Sequence, residues 1–264
     1  MKVVILAGGR GSRLSEETHL KPKPMVEIGS EPILWHIMKI YSYYGFNDFV
    51  ICCGYKGDMI KEYFTDYYMR ASDITIDLSN NSIKIHENVS EPWKVTLVDT
   101  GLNTNTAGRI MKARRYLEDE PFMLTYGDGV SDVDIREVLK FHKKHNRTAT
   151  ITAAKPAGRW GMIQISNSSG IVETFQEKNK TDEAWVNSGF AVFEQAIFDY
   201  LINEDEQLER EPYNRLVAAK QIDAYKHAGF WHAMDTVNDR AILEEYWNTG
   251  NAPWKLWRDK IQRN

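Results

Sequence analysis

Val3-Val4-Ile5-Leu6-Ala7 is an unbroken apolar, mostly β-branched run that passes directly into Gly8-Gly9-Arg10-Gly11. A run of that kind, closed by glycines, predicts a buried first strand feeding a tight turn. The glycines let the backbone bend sharply and come close to a ligand, and successive bare N–H groups in such a turn form an anion-binding concavity. Arg13 and Lys23 add positive charge beside it. Strand, glycine turn and cations together suit a nucleoside triphosphate, although the glycines alone also fit an ordinary βα turn. Two well-known phosphate loops are excluded. GxxxxGK[ST] is absent, and Gly9-Arg10-Gly11-Ser12-Arg13-Leu14 lacks the third glycine of GxGxxG.

The pattern continues as strand and helix in alternation. Pro32 opens a helix whose Ile33, Ile37, Ile40 and Tyr44 share a face and which Gly45 ends. Residues 48–53 read as a strand and 56–68 as a helix. This is the start of a parallel sheet wound with helices, which binds ligands at the carboxyl ends of its strands. Residues 73–99 hold alternating runs with a hairpin turn at Asn80-Asn81, an excursion toward an edge or a partner subunit. A polar loop at 100–106 precedes a helix over 107–117. Phe122-Met123-Leu124-Thr125-Tyr126 then runs into Gly127-Asp128-Gly129, which places a carboxylate at a strand's carboxyl end. Ser131 and Asp132 read as N-cap candidates for the helix bearing Ile135, Val138, Leu139 and His142, which argues against a nucleotide-sugar-binding DxD at Asp132-Val133-Asp134. An antiparallel hairpin is expected around Ser168-Ser169-Gly170, helices over 195–202 and 213–220, and a closing helix over 237–249. Either Asp235 or Thr236 could cap that last helix.

The chain has 264 residues, enough for one large α/β domain or two small ones, with a full core. A net charge of −4 leaves no general polyanion-binding surface, so nucleic acid is not an expected partner. The runs Lys143-Lys144 and Glu204-Asp205-Glu206 read as solvated faces. Cys52 and Cys53 are adjacent, the only cysteines, and read as small core residues suited to a reducing cytoplasm. No run approaches the ~20 apolar residues of a membrane span, no signal peptide is visible, and no histidine spacing suggests zinc.

The full string Gly8-Gly9-Arg10-Gly11-Ser12-Arg13-Leu14 followed by Lys21-Pro22-Lys23-Pro24-Met25 resembles the GGxGxRL…PKPM signature of the sugar-1-phosphate nucleotidylyltransferases. Ser15–Thr18, Pro32–Met38, Cys52-Cys53-Gly54-Tyr55-Lys56-Gly57, Trp231, Asp235-Thr236 and Ala252–Lys255 look most like the glucose-1-phosphate cytidylyltransferase branch, so the resemblance covers nearly the whole chain.

The resemblance implies a doubly wound, mostly parallel, Rossmann-like (GT-A-type) α/β sheet with a smaller inserted antiparallel hairpin for the sugar. It implies one domain: residues 1–130 mainly for the nucleotide, 131–236 mainly for the sugar phosphate, and 237–264 as closing helix and tail. Leu6, Ala7, Gly8, Gly9, Arg10, Gly11, Ser12, Arg13, Lys23, Thr104, Gly108, Arg109 and Asp128 are expected at the nucleotide, with Arg13 and Lys23 catalytic. Asp128 and Asp235 are expected to hold Mg²⁺, and Gly161, Glu177, Lys178 and Asn187 to hold the sugar phosphate. Asn179 stands where the family usually has proline after Glu-Lys. On its pattern alone, Arg109 reads rather as a solvated helix residue. The implied reaction joins CTP and glucose 1-phosphate into CDP-glucose and pyrophosphate, in the cytoplasm, within a homo-oligomer of three or six copies, and serves bacterial surface-sugar synthesis. Another nucleotide or sugar phosphate on the same fold, a GT-A-like glycosyltransferase, and a non-catalytic relative are the alternatives. The last should have lost one of Arg13, Lys23 or Asp128, and all three are present.

Overall fold

The computed structural model describes residues 1–11, 14, 18–88, 90–155, 162–165, 172–176 and 185–258. In chain order the strands are β1 (Val3–Ala7), β2 (Glu27–Ile28), β3 (Glu31–Pro32), β4 (Asp48–Cys53), β5 (Ser72–Asp77), β6 (Ser82–Asn88), β7 (Lys94–Asp99), β8 (Phe122–Tyr126), β9 (Gly129–Ser131), β10 (Ala149–Ala154), β11 (Met162–Ile165), β12 (Val172–Gln176), β13 (Val186–Phe193), β14 (Ile222–His227) and β15 (Trp231–Ala233). The helices are α1 (Ile33–Tyr43), α2 (Gly57–Arg70), α3 (Thr106–Ala113), α4 (Ile135–His145), α5 (Glu211–Ala218) and α6 (Val237–Asn248).

Seven strands form the central sheet in the order β14-β10-β13-β8-β1-β4-β7. β1 pairs in parallel with both β4 and β8, β4 with β7, and β10 with β14, whereas β13 is antiparallel to both its neighbours. Six strands therefore point one way, and β1, the strand read first from the sequence, lies inside the sheet with every residue buried. Its alternation sorts the two faces. Val3, Ile5 and Ala7 join a core with Ile33, Ile37 and Ile40 of α1, while Val4 and Leu6 pack opposite them with Ile110 and Ala113 of α3. This is the mostly parallel, helix-covered α/β sheet expected, and β11–β12 supply the small antiparallel hairpin.

Several expectations shift. The 73–99 excursion divides: β5 and β6 form a separate hairpin turning at Asn81 (φ 54°), while β7 completes the edge of the main sheet. Asp134, rather than Ser131 or Asp132, caps α4, its Oδ1 accepting from the amides of Arg136 (2.8 Å) and Glu137 (3.3 Å). Ser131 instead donates to the Phe230 carbonyl and Asp132 pairs with His227, because β9 is held against β15. The helix expected over 195–202 is only a short turn, Gln195–Asp199, after which the Tyr200 carbonyl accepts from the Arg215 guanidinium. The acidic run at 204–206 is partly paired: Glu204 meets Lys112 at 3.0 Å and Glu206 meets Arg215 at 2.5 Å.

The tail docks on the body of the domain. Trp254 is fully buried, and its indole N–H donates to Nδ1 of His36 (3.4 Å), whose Nε2 lies 2.9 Å from the Ile28 carbonyl. Burial lowers the His36 pKa to about 4, so the ring is neutral and bridges tail and core without charge. Both cysteines are buried and free, their thiols pushed up to about 12 (Cys52) and about 11 (Cys53) by loss of water. Among the described residues, no helix is long and apolar enough to cross a membrane.

Candidate active site

Because β1 and β8 run side by side in parallel, the glycine turn after Ala7 and the Gly127-Asp128 segment open on the same rim of the sheet. Between them lies a cavity of ≈ 290 Å³ lined by Leu6, Ala7, Gly8, Gly9, Gly11, Lys23, Thr104, Arg109 and Asp128 among the expected residues. Pro24, Asn105, Thr106, Tyr126 and Gly127 complete the lining. The sequence had indicated the segments that carry these five residues without assigning them individually.

Lys23 sits in a single helical turn, Lys23–Met25, entered through Pro22, and is 8% exposed. Its ammonium donates to Asp128 Oδ2 at 2.6 Å and to Asp235 Oδ1 at 2.8 Å. Burial alone would favour the neutral amine, but the two carboxylates outweigh it and raise the pKa above the ordinary lysine value. Three residues separated by more than a hundred positions thus form one charge cluster, an ammonium between two acids.

Asp235 is available for that cluster because it does not cap α6. The Thr236 hydroxyl accepts from the Asp239 amide (3.2 Å) and the Asp239 carboxylate accepts from the Thr236 amide (2.8 Å), a closed capping box. Thr236→Ala should therefore cost about 1 kcal/mol of stability, read as a lowered midpoint in urea.

Arg109 is neither a solvated helix residue nor a free cation. It is 4% exposed, and its guanidinium donates to the carbonyls of Gly8 (2.9 Å), Gly101 (3.0 Å) and Cys53 (3.3 Å) and to the Thr100 hydroxyl (2.5 Å). It ties together the loops after β1, β4 and β7. Gly8 is required for this arrangement, since a Cβ there would stand 2.0 Å from Arg109 Nη1. Gly108 turns away from the cavity: a Cβ on it would meet the Glu204 carbonyl at 2.3 Å, so it lets the 203–209 segment close on α3. That segment also takes the Ala107 amide, through the Glu206 carbonyl (3.2 Å), so the α3 N-terminus is partly engaged by the protein itself.

Arg10 lies on the exposed rim, donating to Asn103 at 3.3 Å. Asn187 lies at the start of β13 at the same end of the sheet, its side chain accepting from the Gly189 amide at 3.0 Å. Tyr126 and Thr106 both donate to the carboxylate of Glu209, a pairing no sequence motif announced. Ser12, Arg13, Gly161, Glu177 and Lys178 lie outside the described residues.

Two carboxylates thus converge on one cation beside a glycine turn at the rim of a mostly parallel sheet. The chain belongs to the nucleotidyl transferase family, which it matches over residues 2–253. It is 51% identical over 258 residues, 97% of this chain and 100% of the relative, to the glucose-1-phosphate cytidylyltransferase of Salmonella typhi. It is 41% identical over the same shares to the probable glucose-1-phosphate cytidylyltransferase of Bacillus subtilis. Among solved structures, HddC from Yersinia pseudotuberculosis shares the fold at a TM-score of 0.67 and 21% identity, covering 93% of this chain and 99% of that one.

Proposed function

We propose that this nucleotidyltransferase joins CTP and α-D-glucose 1-phosphate into CDP-glucose, releasing pyrophosphate. The observation that carries the reading is the Lys23 ammonium held by Asp128 and Asp235 on the rim of the glycine-turn cavity. The 51% identity to a glucose-1-phosphate cytidylyltransferase supports the choice of substrates.

The nucleophile, a sugar-phosphate oxygen, is already an anion, so no covalent enzyme intermediate is needed. The difficulty is to bring two polyanions together and to stabilise charge at the transferring phosphorus. In-line attack on the α-phosphorus forms the new P–O bond as the bond to pyrophosphate breaks, and the leaving electron pair stays on pyrophosphate. The amides of the Gly8–Gly11 turn donate to the phosphate oxygens, and Lys23 acts where nucleotide and sugar phosphate must meet. Arg13 holds the leaving pyrophosphate, and Glu177 and Lys178 hold the sugar and its phosphate, with Gly161 and Asn187 beside them.

The donor set fits a hard divalent ion. Two carboxylates with few other protein ligands match the habit of Mg²⁺, which shares its coordination with water and substrate phosphates. Asp128 and Asp235 would hold it. When bound, Mg²⁺ offsets the charge of the converging phosphates. On this reading the residues 1–130, 131–236 and 237–264 divide the work as nucleotide half, sugar half and closing tail. The active form is a cytoplasmic trimer or hexamer supplying CDP-glucose for surface-sugar synthesis.

Pyrophosphate release measured across ATP, CTP, GTP and UTP (with dTTP added) against a panel of sugar 1-phosphates tests the assignment. CTP with glucose 1-phosphate should give the highest kcat/KM. A higher value for any other pair would overturn the substrate assignment while leaving the reaction class intact.

A further inference from the structure

The dipeptide Tyr55-Lys56, at the turn between β4 and α2, holds both limbs of the segment that runs from the glycine turn to Lys23. The Tyr55 amide donates to the Gly8 carbonyl at 3.1 Å, fixing the near limb where it leaves β1. The Tyr55 hydroxyl donates to the Thr18 carbonyl at 3.1 Å. Thr18 is itself buried, and its hydroxyl lies 3.0 Å from the Gly11 carbonyl and 2.9 Å from that of Leu14. The Lys56 ammonium donates to the carbonyls of His19 (2.5 Å) and Leu20 (2.8 Å), which stand just ahead of Lys21-Pro22-Lys23. Two successive backbone carbonyls thus converge on one cation, a charge-assisted arrangement stronger than neutral pairs.

Lys56 also has a left-handed backbone, φ 48° and ψ 36°, which a residue with a side chain adopts only at a cost. Glycine would meet that backbone requirement better, so the backbone does not explain a lysine here. The ammonium and its two carbonyl acceptors do. Strain retained at such a position is the kind found around functional sites.

The geometry points to Lys56 as a positioning residue that fixes the far limb of this segment, and with it the place of Lys23 between Asp128 and Asp235. It touches neither cavity nor substrate and acts through the backbone of His19 and Leu20. For turnover, the inference rests on the reaction proposed above; the placement of the limb does not.

Three variants and two readouts test it. Lys56→Met removes the donors, Lys56→Gly removes them while suiting the left-handed backbone, and Lys56→Arg keeps a long cationic donor. Amide hydrogen exchange over residues 18–26, read by mass spectrometry without substrate, should quicken in Lys56→Met and Lys56→Gly and stay at the wild-type rate in Lys56→Arg. In the pyrophosphate assay, kcat should fall about 10–100-fold in Met and Gly, the scale of a reacting group displaced by about an ångström. KM for glucose 1-phosphate should hardly move, and Arg should recover most of kcat. Lys56→Gly should melt no lower than Lys56→Met while turning over as slowly, an outcome that a purely structural lysine would not give. Unchanged exchange in Lys56→Met, or quickened exchange with wild-type turnover, would overturn the inference, as would an arginine variant as impaired as methionine. If the wild-type chain releases no pyrophosphate from CTP and glucose 1-phosphate, the substrate assignment fails, and the exchange measurement alone decides whether Lys56 places the limb.

Discussion

Lys23→Ala should leave the fold intact and lower kcat for pyrophosphate release by ~10²–10⁴-fold, the range seen when one well-placed charge is removed from such sites. Lys23 touches both acids at hydrogen-bond distance and faces the cavity. On the proposed role, its loss removes both a charge that draws the two phosphates together and an ammonium that two carboxylates share. Two consequences separate these roles. Circular dichroism and gel filtration should match the wild type, because the turn entered at Pro22 and the packing around it do not depend on the ammonium. Apparent Mg²⁺ affinity should rise, since the Lys23 ammonium no longer competes for the Asp128 and Asp235 oxygens. Near-normal turnover by the folded variant would end the assignment of Lys23. The pH dependence follows from the direction of the shift. A lysine pKa raised in the folded state contributes stability that is complete below the unfolded value and lost as pH climbs through the folded one. The Lys23 cluster should therefore be intact across the neutral range and weaken only under strongly alkaline conditions, measurable as a fall in melting temperature there.

Asp128→Asn should abolish the response to Mg²⁺ together with most activity, by about 10²–10³-fold or more. Asparagine keeps the size of the side chain and can still accept from Lys23, so the cavity should persist. What disappears is the charge that, with Asp235, suits a hard divalent ion. Pyrophosphate release titrated against Mg²⁺ should be low and flat in the variant and saturable in the wild type. A variant that stays active and still climbs with Mg²⁺ would remove Asp128 from the metal's ligands.

Much of this was legible before any coordinates. The apolar run Val3–Ala7, the glycines after it, and the strand ending in Gly127-Asp128 are local signals, and pairing β1 beside β8 brings their loops together. The convergence of Lys23, Asp128 and Asp235 came from resemblance, because no local pattern links positions so far apart. Even then Asp235 could have been a helix cap. The choice was decided by Thr236 and Asp239, whose reciprocal bonds close the helix start and leave the preceding acid to face Lys23. Arg109 was misread on pattern because its acceptors come from three loops far apart in sequence, and a charged residue in a polar helix gives no hint of them. The α4 cap was misplaced for a different reason. Ser131, Asp132 and Asp134 compete within four positions, and the β9–β15 pairing diverts the first two. The acidic run at 204–206 read as a solvated face, yet the Glu206 carbonyl takes an α3 amide and Glu209, just beyond it, accepts from Thr106 and Tyr126.

The one reversed strand has an evolutionary consequence. Because β13 opposes its neighbours, the chain leaves β10 at Ala154 and re-enters β13 at Val186 side by side. Residues 155–185 therefore begin and end at the ligand-facing edge. That excursion can grow or shrink without changing the strand order of the central sheet. A scaffold wired in this way keeps the β1–β8 pairing, and the rim on which the cavity opens, independent of how long that stretch is.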